Sequence, residues 1–319
     1  MPYDLSIIII NWNGGSLLTR CVETVVSSAP KLTYEIVIID NASTDDSLEQ
    51  LRANSVAAEM IASKQLRIFE NDENRGFGAA NNQAFALTDS PYVFLLNSDT
   101  EVPPGTIDTL MQKLNSDPKI GAVGPKMLNK DGSLQVSVFF SPPRVWHTVM
   151  SQLWLHHLLP RRIRGELLLG WHWQHDRERN VPMLGGAAIL TRRQVIEEVG
   201  GFDERFHMYA EDNEWCWRIT KSDWRLMFVP EAVLVHHGAQ SSSKRWSPAD
   251  QIRVRLRAGF NFEHRIKPRW RVAANQLANY LVVTVQIAGR KLFGIQHPEL
   301  HVIKEMHREH LRRSLRNNI

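Results

Sequence analysis

Cysteine is scarce in this chain of 319 residues, which contains only Cys21 and Cys216. The two are far apart in sequence and have neither the spacing of a metal site nor that of a redox pair. This pattern favours a reduced cytosolic protein over the disulfide framework that stabilises small secreted domains. We expect both thiols to be reduced, as they are in the cytoplasm.

Long apolar runs are also absent. No run reaches the roughly 18 residues that a membrane-spanning helix needs. The chain opens with Met1-Pro2-Tyr3-Asp4 directly before its first strand-like segment, without the apolar stretch of a signal peptide. We therefore expect a cytoplasmic protein. The composition, 43% hydrophobic and 23% charged, is that of an ordinary globular protein.

What the sequence does contain is a series of short apolar runs that each end in a polar turn. The runs are Leu5–Ile10, Glu35–Ile39, Leu66–Phe69 and Tyr92–Leu96. The turns after them contain Asn11, Asn13, Asp40, Asn41, Asn71, Asp72 and Asp99. Helix-length segments near residues 15–28, 44–62 and 76–88 separate the runs, and this alternation predicts a parallel sheet covered by helices on both faces. Ligands bind outside the carboxyl ends of strands in such sheets, so the polar residues predict one site.

The pattern is weaker after Asp99. The sequence predicts a helix from Pro103-Pro104 to Asn115, a strand over Gly121–Pro125, an ordered apolar segment over residues 183–190 and a helix over residues 192–199. Residues 139–180 fit neither period and combine four tryptophans with an arginine-rich stretch.

A second group of acids lies in residues 200–218. Five acids occur within twelve residues there, among five aromatic residues: Phe202, Phe206, Tyr209, Trp215 and Trp217. Carboxylates flanked by aromatics suit a concave, partly desolvated site in which one of them acts as a general base. The alternative is an acidic first turn on a helix that begins near Asp212, where acids favour the helix dipole.

Taken together, five segments resemble the motifs of inverting family-2 glycosyltransferases, and they occur in that family's order. The segments are Ser6–Asn13, Ile39–Ser43, Asn74–Asn81, Leu96–Asp99 and Gly201–Asp212. The likeness covers roughly residues 4–245 and is greatest to the bacterial rhamnosyltransferase-like branch that builds cell-surface polysaccharides. It implies an α/β fold of the GT-A type, with a Rossmann-like, mostly parallel central sheet flanked by helices. It also implies a nucleotide-diphosphate sugar donor, Mg²⁺ or Mn²⁺, and inversion at the anomeric carbon.

The resemblance assigns the donor site to the first strand ends. Asn11 and Asn13 would line the nucleotide pocket, and Asp40 would hydrogen-bond the base or ribose with Asn41 beside it. Gly76 and Gly78 would permit close approach of the backbone to the donor, with Asn81 nearby. dTDP-rhamnose is the favoured donor, a UDP-sugar is the alternative, and the acceptor would be a saccharide or a lipid-linked saccharide.

The resemblance also implies a metal site. Asp99 matches the last acid of the family's DxD motif, whereas Asn97 stands where other members have the first acid, with Ser98 between them. Asn97 and Ser98 would then contact the donor. Hard oxygen ligands suit Mg²⁺ or Mn²⁺. A histidine would complete the metal or diphosphate site, and the spacing to Gly238 and Ser241 favours His236 over His237.

Asp212 matches the family's catalytic base. It would accept the proton of the acceptor hydroxyl as that oxygen attacks the anomeric carbon. Glu211 is the alternative base, or a contact that orients the acceptor.

The sequence predicts two regions. Residues 1–243 would form the catalytic domain, with a nucleotide-binding half (1–100) and a metal and acceptor half (101–243) in which 139–180 is a mobile lid or an acceptor-facing insertion. Residues 244–319 would form a basic helical extension, because they carry sixteen Lys or Arg against five Asp or Glu, whereas residues 1–243 carry twenty-two against twenty-nine.

The basic extension also contains an apolar stripe at helical spacing: Leu277, Leu281, Val285, Ala288 and Leu292. One interpretation is an interfacial helix that contacts anionic lipid on the inner face of the cytoplasmic membrane. The other is a helix packed on the catalytic domain. No nucleic-acid motif accompanies the charge, so we expect no nucleic-acid partner.

Two other function classes stay open at this stage. A sugar-phosphate nucleotidyltransferase would share the layout, but it needs a glycine-rich loop with Arg and Lys after the first strand, which Asn11-Trp12-Asn13-Gly14-Gly15 lacks. A non-catalytic nucleotide-sugar or polysaccharide-binding protein would not need Asp99, Glu211 and Asp212 together.

Overall fold

The computed structural model describes residues 3–28, 30–140, 145–238, 246–292 and 297–316. These divide into two compact units. The first comprises residues 1–139, 175–207 and 211–241, and the second comprises residues 140–174, 208–210 and 242–319. The predicted boundary at 243 is close to this division. Of the predicted insertion 139–180, residues 140–174 group with the C-terminal residues, whereas residues 139 and 175–180 belong to the first unit.

The first unit is built on one mixed sheet. Its strands are β1 (Leu5–Asn11), β2 (Tyr34–Asp40), β3 (Leu66–Glu70), β4 (Tyr92–Asn97), β5 (Thr100–Glu101), β6 (Ile120–Leu128), β7 (Leu134–Gln135), β8 (Arg179–Asn180), β9 (Ala188–Arg192) and β10 (Arg225–His236). They lie in the order β3-β2-β1-β4-β9-β6-β10-β5, with β7 on β6 and β8 on β10. The neighbours β3, β2, β1 and β4 run parallel, as do β6 and β10. The mostly parallel α/β sheet flanked by helices that the sequence predicts is thereby confirmed.

Helices cover this sheet. They are α1 (Ser16–Ser27), α2 (Ser47–Ala53), α3 (Ser55–Ala62), α4 (Phe77–Ala86) and α5 (Thr106–Asn115). Strand β1, with the sequence LSIIIIN, is buried along its whole length, as expected of a central parallel strand packed on both faces. Its isoleucines also suit extended backbone because β-branched side chains are stiff in helices.

The sequence predicts one helix over residues 44–62, and this prediction is wrong. The helix is interrupted at Asn54, whose backbone is extended with ψ at 130°. The Asn54 side chain accepts a hydrogen bond from the Ala57 amide at 3.1 Å and caps α3. Local hydrogen bonding by the asparagine therefore competes with a continuous helix.

Four more helices follow along the chain. The first two, α6 (Val145–Gln152) and α7 (Arg161–Leu168), belong to the second unit, and the next two, α8 (Arg193–Val199) and α9 (Glu211–Lys221), belong to the first. Within the ordered segment predicted over 183–190, the strand begins only at Ala188. The backbone before it bonds elsewhere: the Leu184 amide donates to the Cys216 sulfur and the Gly186 amide to Asp212. Strand β9 then runs antiparallel between β4 and β6.

The second unit is helical. It contains α6, α7 and the C-terminal helices α10 (Pro248–Ile266), α11 (Arg269–Leu292) and α12 (Pro298–Leu315). Helix α10 begins at a Ser247 cap that accepts from the Asp250 amide, and Pro248 occupies the first turn, where no amide is needed. Among the residues described, no helix is both long and apolar enough to cross a membrane. The side chains of Leu277, Leu281, Val285 and Ala288 are exposed, whereas that of Leu292 lies outside the description.

Candidate active site

The ends of β1 and β2 are joined by a buried polar network. Asn11 and Asp40 are register partners, and Asn11 Nδ2 donates to Asp40 Oδ1 at 2.7 Å and to the hydroxyls of Ser43 and Ser47. Ser43 closes the network, because its hydroxyl donates to Asp40 Oδ1 and its amide to Asp40 Oδ2. Asp40 is only 3% exposed. Asn11 and Asp40 thus shape the loop between β2 and α2, and the contact of Asp40 with a base or ribose stays a prediction.

Asn13 organises the same loop from its β1 side. Its backbone is left-handed, with φ at 53°, and its Oδ1 accepts from the amides of Thr44 and Asp45. The two predicted nucleotide-pocket asparagines therefore both contact the turn after β2, which the structure brings beside the end of β1.

The glycines of α4 approach another part of the chain. A Cβ atom at Gly76 would lie 2.6 Å from the His207 carbonyl oxygen, and φ there is 85°, a conformation that favours glycine. A Cβ at Gly78 would lie 3.1 Å from Phe202 Cβ. The close approach that these glycines permit is thus to residues 202–207. Their contact with a donor stays a prediction.

One side-chain amide links the start of α4 to the end of β2, and a second lies buried within the helix. Asn41 Nδ2 donates to the Gly76 carbonyl at 3.2 Å. Asn81 is 1% exposed and its Nδ2 donates to the Phe77 carbonyl within the helix.

Asp99 and His236 converge where β4 ends and β10 ends. Asp99 Oδ1 lies 3.1 Å from His236 Nε2, and Asn97 Nδ2 lies 3.4 Å from the same nitrogen. Ser98, between them in sequence, is buried. The neighbouring His237 contacts Glu101 instead, at 2.9 Å, and this hydrogen bond lowers the pKa of the Glu101 carboxyl. Residues 239–241 of the predicted histidine motif lie outside the described ranges.

Gln135 fixes the orientation of His236. Its Nε2 donates to the Asn129 side-chain oxygen and to the His236 carbonyl, so its Oε1 is the atom that faces His236 Nδ1, at 2.6 Å. An amide oxygen can only accept, and Nδ1 must therefore carry a hydrogen. If the ring is neutral, Nε2 presents a lone pair to the Asp99 carboxylate. Two acceptors that lie 3.1 Å apart require a proton or a cation between them.

The first turn of α9 contains the acid pair. Asp212 Oδ2 accepts from the Gly186 amide at 3.0 Å, and Oδ1 accepts from the Asn213 amide at 2.8 Å. A Cβ at Gly186 would lie 3.2 Å from Asp212 Oδ2, so the absence of a side chain there permits this contact. Burial raises the pKa of Asp212 in spite of these hydrogen bonds.

Glu211 differs from its neighbour. It is 7% exposed, and its Oε2 has no hydrogen-bond partner. Burial, and then the Asp212 charge, raise the pKa of Glu211 to about 8. At neutral pH Glu211 is therefore mostly protonated, and the two backbone amides that donate to Asp212 favour the carboxylate form of that residue.

Sequence reasoning missed Gln135, Gly186 and Ser43 as residues that position the site. Gln135 and His236 are 101 positions apart and meet because β7 and β10 both pair with β6. Ser43 had a signal as the last residue of the family-like segment Ile39–Ser43, and the Gly185-Gly186 pair had one as a site where a backbone or ligand approaches closely, whereas Gln135 had none.

Comparison with known proteins agrees with this fold and these motifs. The chain is 28% identical over 272 residues to an N-acetylglucosaminyl-diphospho-decaprenol L-rhamnosyltransferase of Mycobacterium tuberculosis, covering 81% of this chain and 83% of the relative. It is 27% identical over 172 residues to a pre-mycofactocin glycosyltransferase of the same organism, covering 54% of this chain and 32% of that protein.

Solved structures support the fold. A mannosyltransferase of Pyrobaculum calidifontis, in complex with GDP-Man and Mn²⁺, aligns with a TM-score of 0.57 at 17% identity, covering 98% of this chain and 86% of that one. GalNAc-T7 with UDP, GalNAc and Mn²⁺ aligns with a TM-score of 0.58 at 16% identity, covering 97% and 54%.

The family model described as "Glycosyl transferase family 2" matches residues 6–200. That match spans more than half of the chain and includes the strand-end residues, Asp99 and the Gly185-Gly186 pair. The chain belongs to glycosyl transferase family 2.

Proposed function

We propose that this glycosyltransferase moves L-rhamnose from dTDP-rhamnose, with inversion, to a hydroxyl of a lipid-linked saccharide during synthesis of a cell-surface polysaccharide. The named activity of the mycobacterial rhamnosyltransferase supports the sugar and the lipid-linked acceptor, because the similarity extends over most of both chains. The observation that carries the proposal is Asp212, a carboxylate with a raised pKa and with both oxygens fixed by backbone amides.

Asp212 is the general base of this proposal. It accepts the proton of the acceptor hydroxyl while that oxygen bonds to the anomeric carbon and the bond from that carbon to the donor diphosphate breaks, the diphosphate leaving with the bonding electrons. A raised pKa makes the carboxylate a better proton acceptor near neutral pH. Glu211, protonated at neutral pH, adds no second negative charge to the site and does not compete for the acceptor proton.

Asp99 and His236 fit a divalent cation. Ligands on adjacent corners of an octahedron are about 3.0 Å apart when the metal–ligand distances are about 2.1 Å, and Asp99 Oδ1 and His236 Nε2 are 3.1 Å apart. Within the described residues, no group of three or more acidic, histidine or cysteine side chains forms a complete metal site. The remaining ligands would be donor phosphate oxygens and water, as is common for Mg²⁺. When bound, Mg²⁺ or Mn²⁺ neutralises charge that develops on the leaving diphosphate.

We assign binding of the nucleotide-sugar donor to the residues at the strand ends. We infer that Asn11, Asn13, Asp40 and Asn41 shape the nucleotide pocket, with Gly76, Gly78 and Asn81 beside it and Asn97 and Ser98 next to the diphosphate. The polar network between β1 and β2 supports this role because its hydrogen bonds connect the loop after β2 to the ends of both strands.

A membrane contact suits a lipid-linked acceptor. We propose that residues 244–319 contact the inner face of the cytoplasmic membrane, with the basic side chains near anionic lipid and without crossing it. The exposed side chains of Leu277, Leu281 and Val285 support this contact.

A donor screen followed by a transfer assay tests the proposal. Thermal shift with Mn²⁺ and a panel of nucleotide sugars should give the largest stabilisation with dTDP-rhamnose. If a UDP-sugar gives the largest stabilisation, that sugar is the donor instead.

The transfer assay tests the metal site. Asp99→Ala should reduce transfer by at least about 10²-fold, the scale of lost transition-state stabilisation at comparable sites. The matched control is Asp223→Asn, at an exposed turn before β10 where φ is 64° and Asn is tolerated. Full activity of the wild type in EDTA would contradict the metal role.

A further inference from the structure

Exposed apolar side chains are concentrated in the second unit. Among the described residues, fourteen large hydrophobic side chains are exposed, and all of them except Phe139 belong to that unit. Scattered exposed apolar residues are normal, but a concentration of this kind marks an interaction surface.

Two turns in the segment between α6 and β8 carry the two most exposed of these side chains, Leu158 and Trp171, together with the exposed Trp154. The turns are residues 154–158 and 170–172, and we call them the tryptophan turns. Trp154 is 60% exposed, Leu158 is 81% exposed and Trp171 is 80% exposed. These side chains contribute little to a protein core, so their size and type need another explanation.

A histidine pair brings the two turns together. His156 is buried, and its ring lies 4.3 Å from the His172 ring, between ring centroids. The Ser151 hydroxyl also lies 3.2 Å from His172 Nε2. The exposed side chains therefore project from a joined pair of turns.

The backbone of Trp154 is strained. Its φ is 55°, in the left-handed region, which a bulky residue occupies only at an energetic cost. Such a cost at an exposed tryptophan brings no packing in return, and an outlier of this kind is commonly associated with function.

The charge of the second unit indicates what kind of surface the tryptophan turns contact. By sequence the unit has twenty Lys or Arg and six Asp or Glu, whereas the first unit has eighteen and twenty-eight. Arg161 and Arg162, directly after the first turn, are exposed. Two copies of such a positive surface repel each other, whereas an anionic bilayer attracts it. Tryptophan is moreover the side chain that prefers the boundary between headgroups and acyl chains.

We propose that the tryptophan turns insert Trp154, Leu158 and Trp171 into the headgroup region of an anionic membrane. This inference rests on the membrane contact proposed above and adds a second contact to it, outside residues 244–319. Arg161 and Arg162 then lie near lipid phosphates.

Two variants of the full chain test the inference. The turn variant is Trp154→Ser, Leu158→Ser and Trp171→Ser, and the stripe variant is Leu277→Ser, Leu281→Ser and Val285→Ser, on α11. All six side chains are exposed, so both variants should fold, and circular dichroism with a thermal midpoint checks this. The probe is co-sedimentation with vesicles of phosphatidylcholine plus phosphatidylglycerol and of phosphatidylcholine alone.

We expect the wild type to bind the anionic vesicles and the turn variant to bind them at least about tenfold more weakly, a loss of about 1.4 kcal/mol. Acyl-brominated lipid should quench tryptophan fluorescence in the wild type more than in the turn variant.

The inference is overturned if the turn variant binds the vesicles as well as the wild type does. If the stripe variant alone loses binding, the contact is confined to residues 244–319. No binding by the wild type overturns both membrane proposals, while transfer to a soluble acceptor tests the glycosyltransferase reaction separately. A wild-type dimer that the turn variant dissociates, with vesicle binding unchanged, would assign the turns to self-association instead.

Discussion

At the residue scale, uncharged groups orient the side chains of the candidate site. Backbone amides of Gly186 and Asn213 fix Asp212, and the Gln135 amide fixes the tautomer of His236. Neutral donors and acceptors can orient a carboxylate or an imidazole without cancelling its charge or its basicity. This arrangement leaves Asp99, His236 and Asp212 available to ligands and protons.

Gln135 gives the first prediction. In Gln135→Leu the ring of His236 loses the acceptor that holds its Nδ1 hydrogen, so Nε2 no longer points reliably toward Asp99. Mn²⁺ affinity in the presence of a nucleoside diphosphate should fall by roughly 10–100-fold, the usual effect of removing an outer-shell partner. Electron paramagnetic resonance of free Mn²⁺ measures this without reference to activity.

Gln194→Leu is the control for that measurement. Gln194 lies on α8 and donates to Glu198 four residues later. The Gln194→Leu variant should bind Mn²⁺ with the same affinity as the wild type. Equal affinity in the Gln135 variant would show that His236 is oriented by other contacts or does not bind the ion.

Sequence alone predicted which residues lie at strand ends, but not what positions them. Asn11, Asp40 and Asp99 follow apolar runs, and the paired strands bring Asn11 and Asp40 together as expected. Gln135 could not be predicted, because its role depends on two strands pairing with a third. The roles themselves stay predictions, since hydrogen bonds within the protein do not identify a ligand.

At the scale of elements, the parallel strands were predictable and the antiparallel ones were not. The continuous apolar runs of β1, β2 and β4 have strand length and alternate with helix-length segments, and together these features predict buried parallel strands. Strand β9 is equally buried, but its neighbours β4 and β6 are distant in sequence, and no local pattern gives its direction. The break at Asn54 was missed because helix periodicity continues across it.

The helices of the second unit enclose a polar core that responds to pH. Gln276 Nε2 donates to the buried Glu263, and its Oε1 accepts from His307 Nδ1 at 2.8 Å. Burial lowers the pKa of His307 to about 4, and burial together with neighbouring positive charge lowers the pKa of His310 to about 3. Both rings are therefore neutral in the folded protein at neutral pH.

The second prediction follows from the sign of these shifts. The unfolded chain protonates His307 near pH 6.5, but the folded chain does so only near pH 4. Stability is therefore lost as pH falls from about 6.5 to about 4, with a contribution of about 3 kcal/mol from His307. The thermal midpoint of His307→Gln should fall less over this range than that of the wild type, whereas the control His301→Gln, at an exposed position, should follow the wild type. Parallel curves for all three proteins would mean that His307 is not buried in neutral form.

At the scale of the whole molecule, the chain combines an acidic unit that contains the candidate site with a basic unit that exposes apolar side chains. The basic character of the C-terminal region was predictable from composition. The packing of residues 140–174 with this region was not predictable, because the segment has no periodicity that identifies its packing partner.

The third prediction concerns salt. Attraction between exposed Lys or Arg and anionic lipid contributes about 1 kcal/mol per residue near the surface and is screened within a Debye length of about 10 Å at 0.1 M salt. Wild-type binding to anionic vesicles should therefore weaken strongly as salt is raised, and binding to neutral vesicles should be weak at any salt. Equal partitioning to both vesicle types would remove charge from the explanation of membrane contact.

The central claim is that Asp212 is the base of a sugar transfer, and the rate of transfer by Asp212→Asn tests it most directly. The variant keeps the shape of the side chain but cannot accept the proton, so turnover from dTDP-rhamnose, or from the donor that the screen identifies, should fall by roughly 10²–10⁴-fold with donor affinity largely retained. Glu211→Gln is the matched control, because Glu211 is protonated at neutral pH and glutamine resembles that form; it should retain most of the activity. Near wild-type turnover in Asp212→Asn, with a large loss in Glu211→Gln, would contradict the account and make Glu211 the base.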